Sequence, residues 1–296
     1  MCVNLLFCLS NNAVPARSQG VSESRARNPP SPAVCQPEDV LPFETRDPAL
    51  LRSLFARHPA ASLYLWSDLV EPFFSRCRWF VTGDAALLWF GGLSEPSLQT
   101  TGDAGDAAEL VDQLHAVLPQ EAWIKVPPAH EPLFARHFTL TRRSELTVML
   151  LDGPVPEVPG PVRRLAPGEP LEPLLELYSA YPGHFFEAAS LEGNVYYVAE
   201  QDGRPVSIAG THTAAPAEGV AVLGNIVTAP ESRGQGLARR CVAAVARELD
   251  SLGCRLTGLH VDSTNAAAIS CYRGLGFRAR TALVQAWASP AGLPPV

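Results

Sequence analysis

The sequence predicts a mixed α/β (α+β) fold in two similar halves, and three observations carry that expectation. An apolar run at 220–227 reads as a buried strand. After it, Leu237, Val242, Val245, Ala246 and Leu249 recur at helical spacing over 237–252. Between them lies the short loop Glu231-Ser232-Arg233-Gly234-Gln235-Gly236-Leu237-Ala238. Strand, glycine-containing turn and helix in that order aim the free N–H groups of a helix start at whatever fills the turn, and the helix dipole favours an anion there. The third observation is that strands, a helix of about a dozen residues, a short strand, a short helix and a strand recur in the same order over 79–151.

Taken in order, residues 1–36 begin with a brief apolar run and become rich in Ser, Pro and Arg; the first arginine is Arg17, so no basic region precedes the apolar run, and a disordered tail is expected rather than a signal peptide. A first domain is expected over 37–151. Leu50, Leu51, Leu54 and Phe55 predict a helix, and 79–82 with 85–90 predict strands around the turn Gly83-Asp84. A helix at 107–118, a strand at 123–126, a short helix at 131–137 and a strand at 144–151 follow. The run 152–161 carries Pro154, Pro156, Pro159 and Pro161, which suits neither a helix nor a sheet interior, and it is read as the linker.

The second domain is expected over 162–290. It opens with a strand at 162–165, a helix carrying Leu171, Leu174, Leu175 and Tyr178, and the aromatic stretch 181–186. Strands at 195–200 and 206–213 flank Asp202-Gly203-Arg204, a hairpin signal. After the central strand, turn and helix come a strand at 256–261, a helix at 264–273 capped by Ser263 or Thr264, and a last strand at 277–287.

The loop lacks Gly-Lys-Ser/Thr, and Arg239 stands where a dinucleotide fingerprint needs Gly or Ala, so nucleotide hydrolysis and hydride transfer are excluded. What remains is Arg233-x-x-Gly236-x-Ala238, followed about thirty residues later by Asn265-Ala-Ala-Ala-Ile-Ser-Cys-Tyr272-Arg-Gly-Leu-Gly276-Phe277. Here the sequence resembles the GCN5-related N-acetyltransferases, whose pyrophosphate loop has the form Arg/Gln-x-x-Gly-x-Gly/Ala and whose later segment has an Asn and a Tyr ahead of a Gly-Phe pair. The resemblance covers about 162–287 and implies a mixed, mostly antiparallel sheet flanked by helices, with acetyl-CoA as cofactor. It implies direct transfer of an acetyl group to an amine of a small molecule or peptide. A non-catalytic acyl-CoA sensor of the same fold is the alternative, and an interaction scaffold with a vestigial loop is a further one.

On that reading the backbone of Arg233, Gly234, Gln235, Gly236, Leu237 and Ala238 holds the pyrophosphate, and the edge of Ile226, Val227 and Thr228 pairs with the pantetheine arm. Asn265 contacts the cofactor or simply starts a helix. Tyr272 is the candidate general acid, its phenol serving the departing thiolate; the plainer reading is a core tyrosine. The base stays open among Glu200, His212, Glu218, His260, Asp262 and His184, because the strand 220–227 offers only Asn225. An acceptor pocket is expected beside 181–186.

The first half lacks these features. Asp103 and Asp106 occupy its counterpart of the loop, 100–106, and would repel a pyrophosphate, while Leu133 stands five residues before Phe138 as Tyr272 does before Phe277. One coenzyme A site per chain is expected.

Composition narrows the rest. A net charge of −7 argues against nucleic acid, and no run reaches the ~18 apolar residues of a membrane span. Seven cysteines without a Cys-x-x-Cys pair fit buried thiols in the cytoplasm better than disulfides or a metal site. The lone lysine, Lys125, among many arginines is read as compositional bias. A monomer or homodimer is expected.

Overall fold

The structure, a computed structural model, describes residues 44–91, 95–179, 181, 186 and 191–291. The expected tail at 1–36 and His184 lie outside them. The first half runs β1 (Glu44–Thr45), α1 (Pro48–Phe55), α2 (Leu63–Ser67), β2 (Cys77–Thr82), β3 (Ala85–Phe90), β4 (Ser97–Gly102), α3 (Ala104–Leu114), β5 (Ala122–Val126), α4 (Glu131–Ala135) and β6 (Phe138–Leu151). The second runs β7 (Arg163–Arg164), α5 (Glu172–Ser179), β8 (Tyr196–Gln201), β9 (Arg204–Ala215), β10 (Val220–Thr228), α6 (Leu237–Ser251), β11 (Leu256–Asp262), α7 (Ala266–Arg273) and β12 (Phe277–Pro290).

Local chemistry explains most boundaries. Asp47 caps α1 by accepting from Ala49 N, with Pro48 at the first helical position, where its missing N–H costs nothing. Asp202 and Gly203 both take positive φ and close the β8–β9 hairpin as its sequence requires. Besides the two-residue β1, two elements had no clear sequence signal. One is α2, five residues long; the other is β4, whose Ser-Leu-Gln-Thr-Thr-Gly pattern is polar although Leu98 to Thr101 are buried. Thr100 to Gly102 therefore end a strand rather than form a loop. The α7 cap is also corrected: Asn265, not Ser263 or Thr264, starts the helix and accepts from Ala268 N at 3.1 Å.

All twelve strands form one sheet, ordered β1-β2-β3-β4-β5-β12-β6-β11-β10-β9-β8-β7. The halves exchange their closing strands. β12 lies between β5 and β6, and β6 lies between β12 and β11, so each half is completed by the last strand of the other. The two exchanged strands are antiparallel to each other from Phe277 opposite Leu151 to Pro290 opposite Phe138. Helices α3, α4, α6 and α7 cover one face over the cores around Leu110 and Val245, and α1, α2 and α5 cover the other.

Each half contains a single parallel pair, β4 with β5 and β10 with β11. Both pairs end early. On β10 the last residue paired to β11 is Leu223, opposite Leu259, and the remainder of β10 diverges from its neighbour. That divergence opens the sheet where the second half's candidate residues collect.

Candidate active site

The start of α6 is uncapped. Its N-cap is Gly236, left-handed at φ 73°, with no side-chain hydrogen bond to the first turn and no acidic residue in that turn. A Cβ added at Gly234 or Gly236 would meet nothing within 4 Å, so the space over the turn is open, and both glycines hold positive φ that a side chain would resist. Gln201, at the end of β8, fixes the loop from below: it accepts from Ser232 Oγ at 3.0 Å and donates to Gln235 Oε1 at 2.9 Å. Leu237 is buried in the core and Ala238 half-buried, so both can serve a ligand only through their amides. Arg233, Arg239 and Arg240 flank the turn in sequence, with their guanidinium groups at Tyr181, at Gly274 O and beside Gly160. Free amides and a positive dipole end, with basic residues in the neighbouring sequence, favour an anion at this turn.

The first half's equivalent is plugged. Asp103 caps α3, accepting from Gly105 N at 2.8 Å and Asp106 N at 3.1 Å, and Asp106 accepts from Asp84 N. Those hydrogen bonds hold the Asp103 carboxyl below the usual carboxylate range. A second anion has neither amides nor favourable charge there.

Beyond Leu223, β10 carries a bulge between Gly224 and Val227, with Asn225 at φ 53°. Asn225 is locked in place: its Nδ2 donates to Tyr196 Oη at 2.7 Å and its carbonyl accepts from Tyr178 Oη at 2.6 Å. Ala229 N donates to Val206 O, so strand alternation turns the Thr228 peptide groups away from β9 and towards the open side. The Thr228 carbonyl is met there by Tyr181 and Arg233. Ile226 packs on the α6 face and Val227 on the α5 face.

Tyr272 belongs to the core that also takes Leu237 and Ile226, and its ring meets Phe277 edge-on at 6.1 Å. Arg239 donates to Gly274 O at 3.1 Å, which draws the end of α7 to the start of α6. Burial raises the Tyr272 phenol, so it remains protonated through the neutral range. The structure thus gathers the anion seat, the β10 edge and Tyr272 around one core; Asn265, at the far end of α7, is occupied as its cap.

Three base candidates are committed elsewhere. Glu218 accepts both Arg52 contacts at 2.7 Å, Glu200 pairs with Arg163, and Asp262 accepts from Thr264 N. Among the described residues, His212 and His260 remain. A second bulge on β9 leaves His212 outside the pairing of Thr211 with Leu223 and Thr213 with Val222, which re-aims its side chain. Both histidines face the α2 side of the sheet, where Tyr64 lies between them. Sequence reasoning missed Tyr64 and Lys125, the partners supplied by the first half. The one available signal was that Lys125 is the chain's lone lysine.

The GNAT acetyltransferase family model matches residues 162–277, the segment that builds this geometry. Residues 162–277 are a GNAT-family domain. Among solved structures, a GNAT-family protein from Novosphingobium aromaticivorans is 25% identical, with a TM-score of 0.54 over 76% of this chain and 96% of its own. A GCN5-related N-acetyltransferase from Kribbella flavida (18% identity, TM-score 0.54, 79% and 96% coverage) and a Drosophila protein (15%, 0.62, 82% and 96%) share the fold. Coverage of that extent takes in the first half as well as the GNAT domain. No curated protein matches the chain.

Proposed function

We propose that the protein transfers an acetyl group from acetyl-CoA to an amine of a small molecule or peptide, with one active site per chain. The observation that carries this is the uncapped, arginine-flanked start of α6 beside the open edge of β10. The Arg233 to Ala238 amides would hold the pyrophosphate, and the Thr228 peptide edge with Ile226 would align the pantetheine arm. Acetyl-CoA supplies an activated carbonyl. The acceptor nitrogen forms its bond to that carbonyl carbon as the carbon–sulfur bond breaks; the nitrogen loses a proton to a base, and the leaving sulfur takes one from the Tyr272 hydroxyl. Tyr272 lies on the α6 face and the histidines on the opposite face, so donor and acceptor would meet through the gap between β10 and β11.

One observation favours a second reading. Asn225 stands on the strand where a carboxylate base often sits in this family by resemblance, and it is tied to Tyr196. A non-catalytic acyl-CoA binder would share everything but turnover. Two measurements separate the readings. Acetyl-CoA at 100 times its dissociation constant should stabilise the protein by about 2.7 kcal/mol while NAD and ATP do not, and thiol release in the presence of amines should exceed hydrolysis. Stabilisation without thiol release across a broad amine panel would favour the binder; the absence of both would overturn the assignment. Three buried thiols, Cys77, Cys241 and Cys254, free among the described residues, support a cytoplasmic setting.

A further inference from the structure

The donor side of the gap leaves a second cluster unexplained. On the α2 face, Tyr64 of the first half meets two imidazoles of the second, with ring centroids 4.7 Å from His212 and 4.2 Å from His260. The Lys125 ammonium, on β5, lies 4.3 Å from the centre of the same ring. All four residues are half-buried. The cluster adjoins the gap: a Cβ on Gly224, the first β10 residue past the segment paired to β11, would stand 3.3 Å from His212 Cβ. His260 directly follows Leu259, the last residue of β11 paired to β10.

The cluster is poor in anions. Among the described residues no carboxylate forms an ion pair with Lys125. The nearest acid acting on it is Asp68, one turn along from Tyr64 and 9% exposed, whose own carboxyl burial raises to about 7. Burial lowers Lys125 to about 8 and, with Lys125 adding repulsion, lowers His212 to about 3 and His260 well below its ordinary value. Both ring nitrogens of His260 are enclosed and have no hydrogen-bond partner. Buried polar groups are normally paired, so an unpaired imidazole beside an ammonium that Asp68 influences without a direct contact marks a place that a ligand completes.

We propose that this cluster lines the acceptor site and that Lys125 selects an amine bearing a carboxylate, holding the carboxylate against its ammonium while the amine faces His260 and His212 at the gap. The proposal rests on the acyl-transfer reading for the amine's fate, but not for its binding. An acid placed against Lys125 gives the ammonium the direct contact that Asp68 does not make, and a nitrogen at the imidazoles gives His260 the partner it lacks. Because Lys125 and Tyr64 come from the first half, acceptor choice belongs to the half that has no anion seat.

The test uses the full chain with acetyl-CoA and the common amino acids, each beside its carboxamide. The free acids should be acetylated with kcat/KM roughly 10- to 100-fold above the amides, the worth of one charge-assisted contact. Lys125→Met should raise KM for the acids until acids and amides are equal, and Lys125→Arg should restore part of the preference. An unchanged thermal shift with acetyl-CoA reports that the Met variant is folded with its donor site intact. Calorimetric titration of the amino acids into protein saturated with coenzyme A reads binding without chemistry. Binding by the wild type that Lys125→Met loses supports the site even without thiol release, in which case transfer itself is what fails. Equal use of acids and amides by the wild type, or a Met variant that retains the preference, would overturn the proposal.

Discussion

Asp68 buries a carboxyl whose pKa is raised to about 7, chiefly by desolvation, with Lys125 and Ser67 opposing. The folded state therefore binds a proton that the unfolded chain has lost between about pH 4 and 7, and stability falls as pH rises through that window. Asp68→Asn removes this slope. Its stability relative to wild type should improve by up to about 1.4 kcal/mol per pH unit towards pH 7 and level off above it, as read from paired denaturation curves. A pH-independent difference would place the carboxyl in contact with water. At Tyr272 the substitution to Phe keeps the ring against Phe277 and removes only the hydroxyl. Turnover should fall roughly 10²- to 10⁴-fold with acetyl-CoA binding preserved, and unchanged turnover where chemistry limits the rate would make Tyr272 a core residue only. At this scale the sequence was legible where a residue acts with its neighbours. Gly234, Gly236 and Tyr272 sit within a recognisable spacing, and His212 and His260 were already among the candidates. Tyr64 and Lys125 were not legible as site residues, because what makes them so is proximity across the sheet, and no local period encodes it. Lys125 in isolation looks like any half-buried residue of a short strand.

Among elements, α6 and α3 are the informative pair. Each follows a strand that parts from its parallel neighbour, yet one helix start is open and the other is closed by its own Asp103. Gly236→Glu sets a side chain and a negative charge at the open start, and φ 73° adds backbone strain. The stabilisation by acetyl-CoA should be lost while the unliganded melting temperature shifts by only a few degrees; a full ligand response in the variant would remove α6 from the binding site. Periodicity located most of these elements because their apolar faces are regular. β4 escaped because Gln99, Thr100 and Thr101 are polar yet buried, with Thr100 Oγ1 at 2.9 Å from His130 Nδ1 and Thr101 Oγ1 at 2.9 Å from Ser62 Oγ. Side chains that satisfy one another across the core read as loop in a one-dimensional pattern. The second half of β6 was expected at 144–151, but its start at Phe138 runs through Arg142 and Arg143, whose exposure at the bulge hides the strand.

For the molecule as a whole, the proline-rich run between the halves is a covalent connection across which the sheet continues. A protease site inserted at 155–158 should yield two fragments that remain together in native gel filtration, since β6 and β12 each complete the other fragment's sheet. The intact chain should unfold in one transition by both far-ultraviolet dichroism and tryptophan fluorescence. Separate elution of the fragments, or two resolved transitions, would show the halves to be independent. The exchange itself was invisible in the sequence: β6 and β12 carry ordinary alternation, and nothing in either strand states which half it closes. It also dictates an order of events during synthesis. Leu151 waits for Phe277 and Phe138 for Pro290, so β5 and β6 leave the ribosome each with an unpaired edge, and the central sheet cannot close until β12 has been made. A ribosome stalled short of β12 would hold a nascent chain with two open strand edges, the form of this protein most exposed to chaperones and to aggregation.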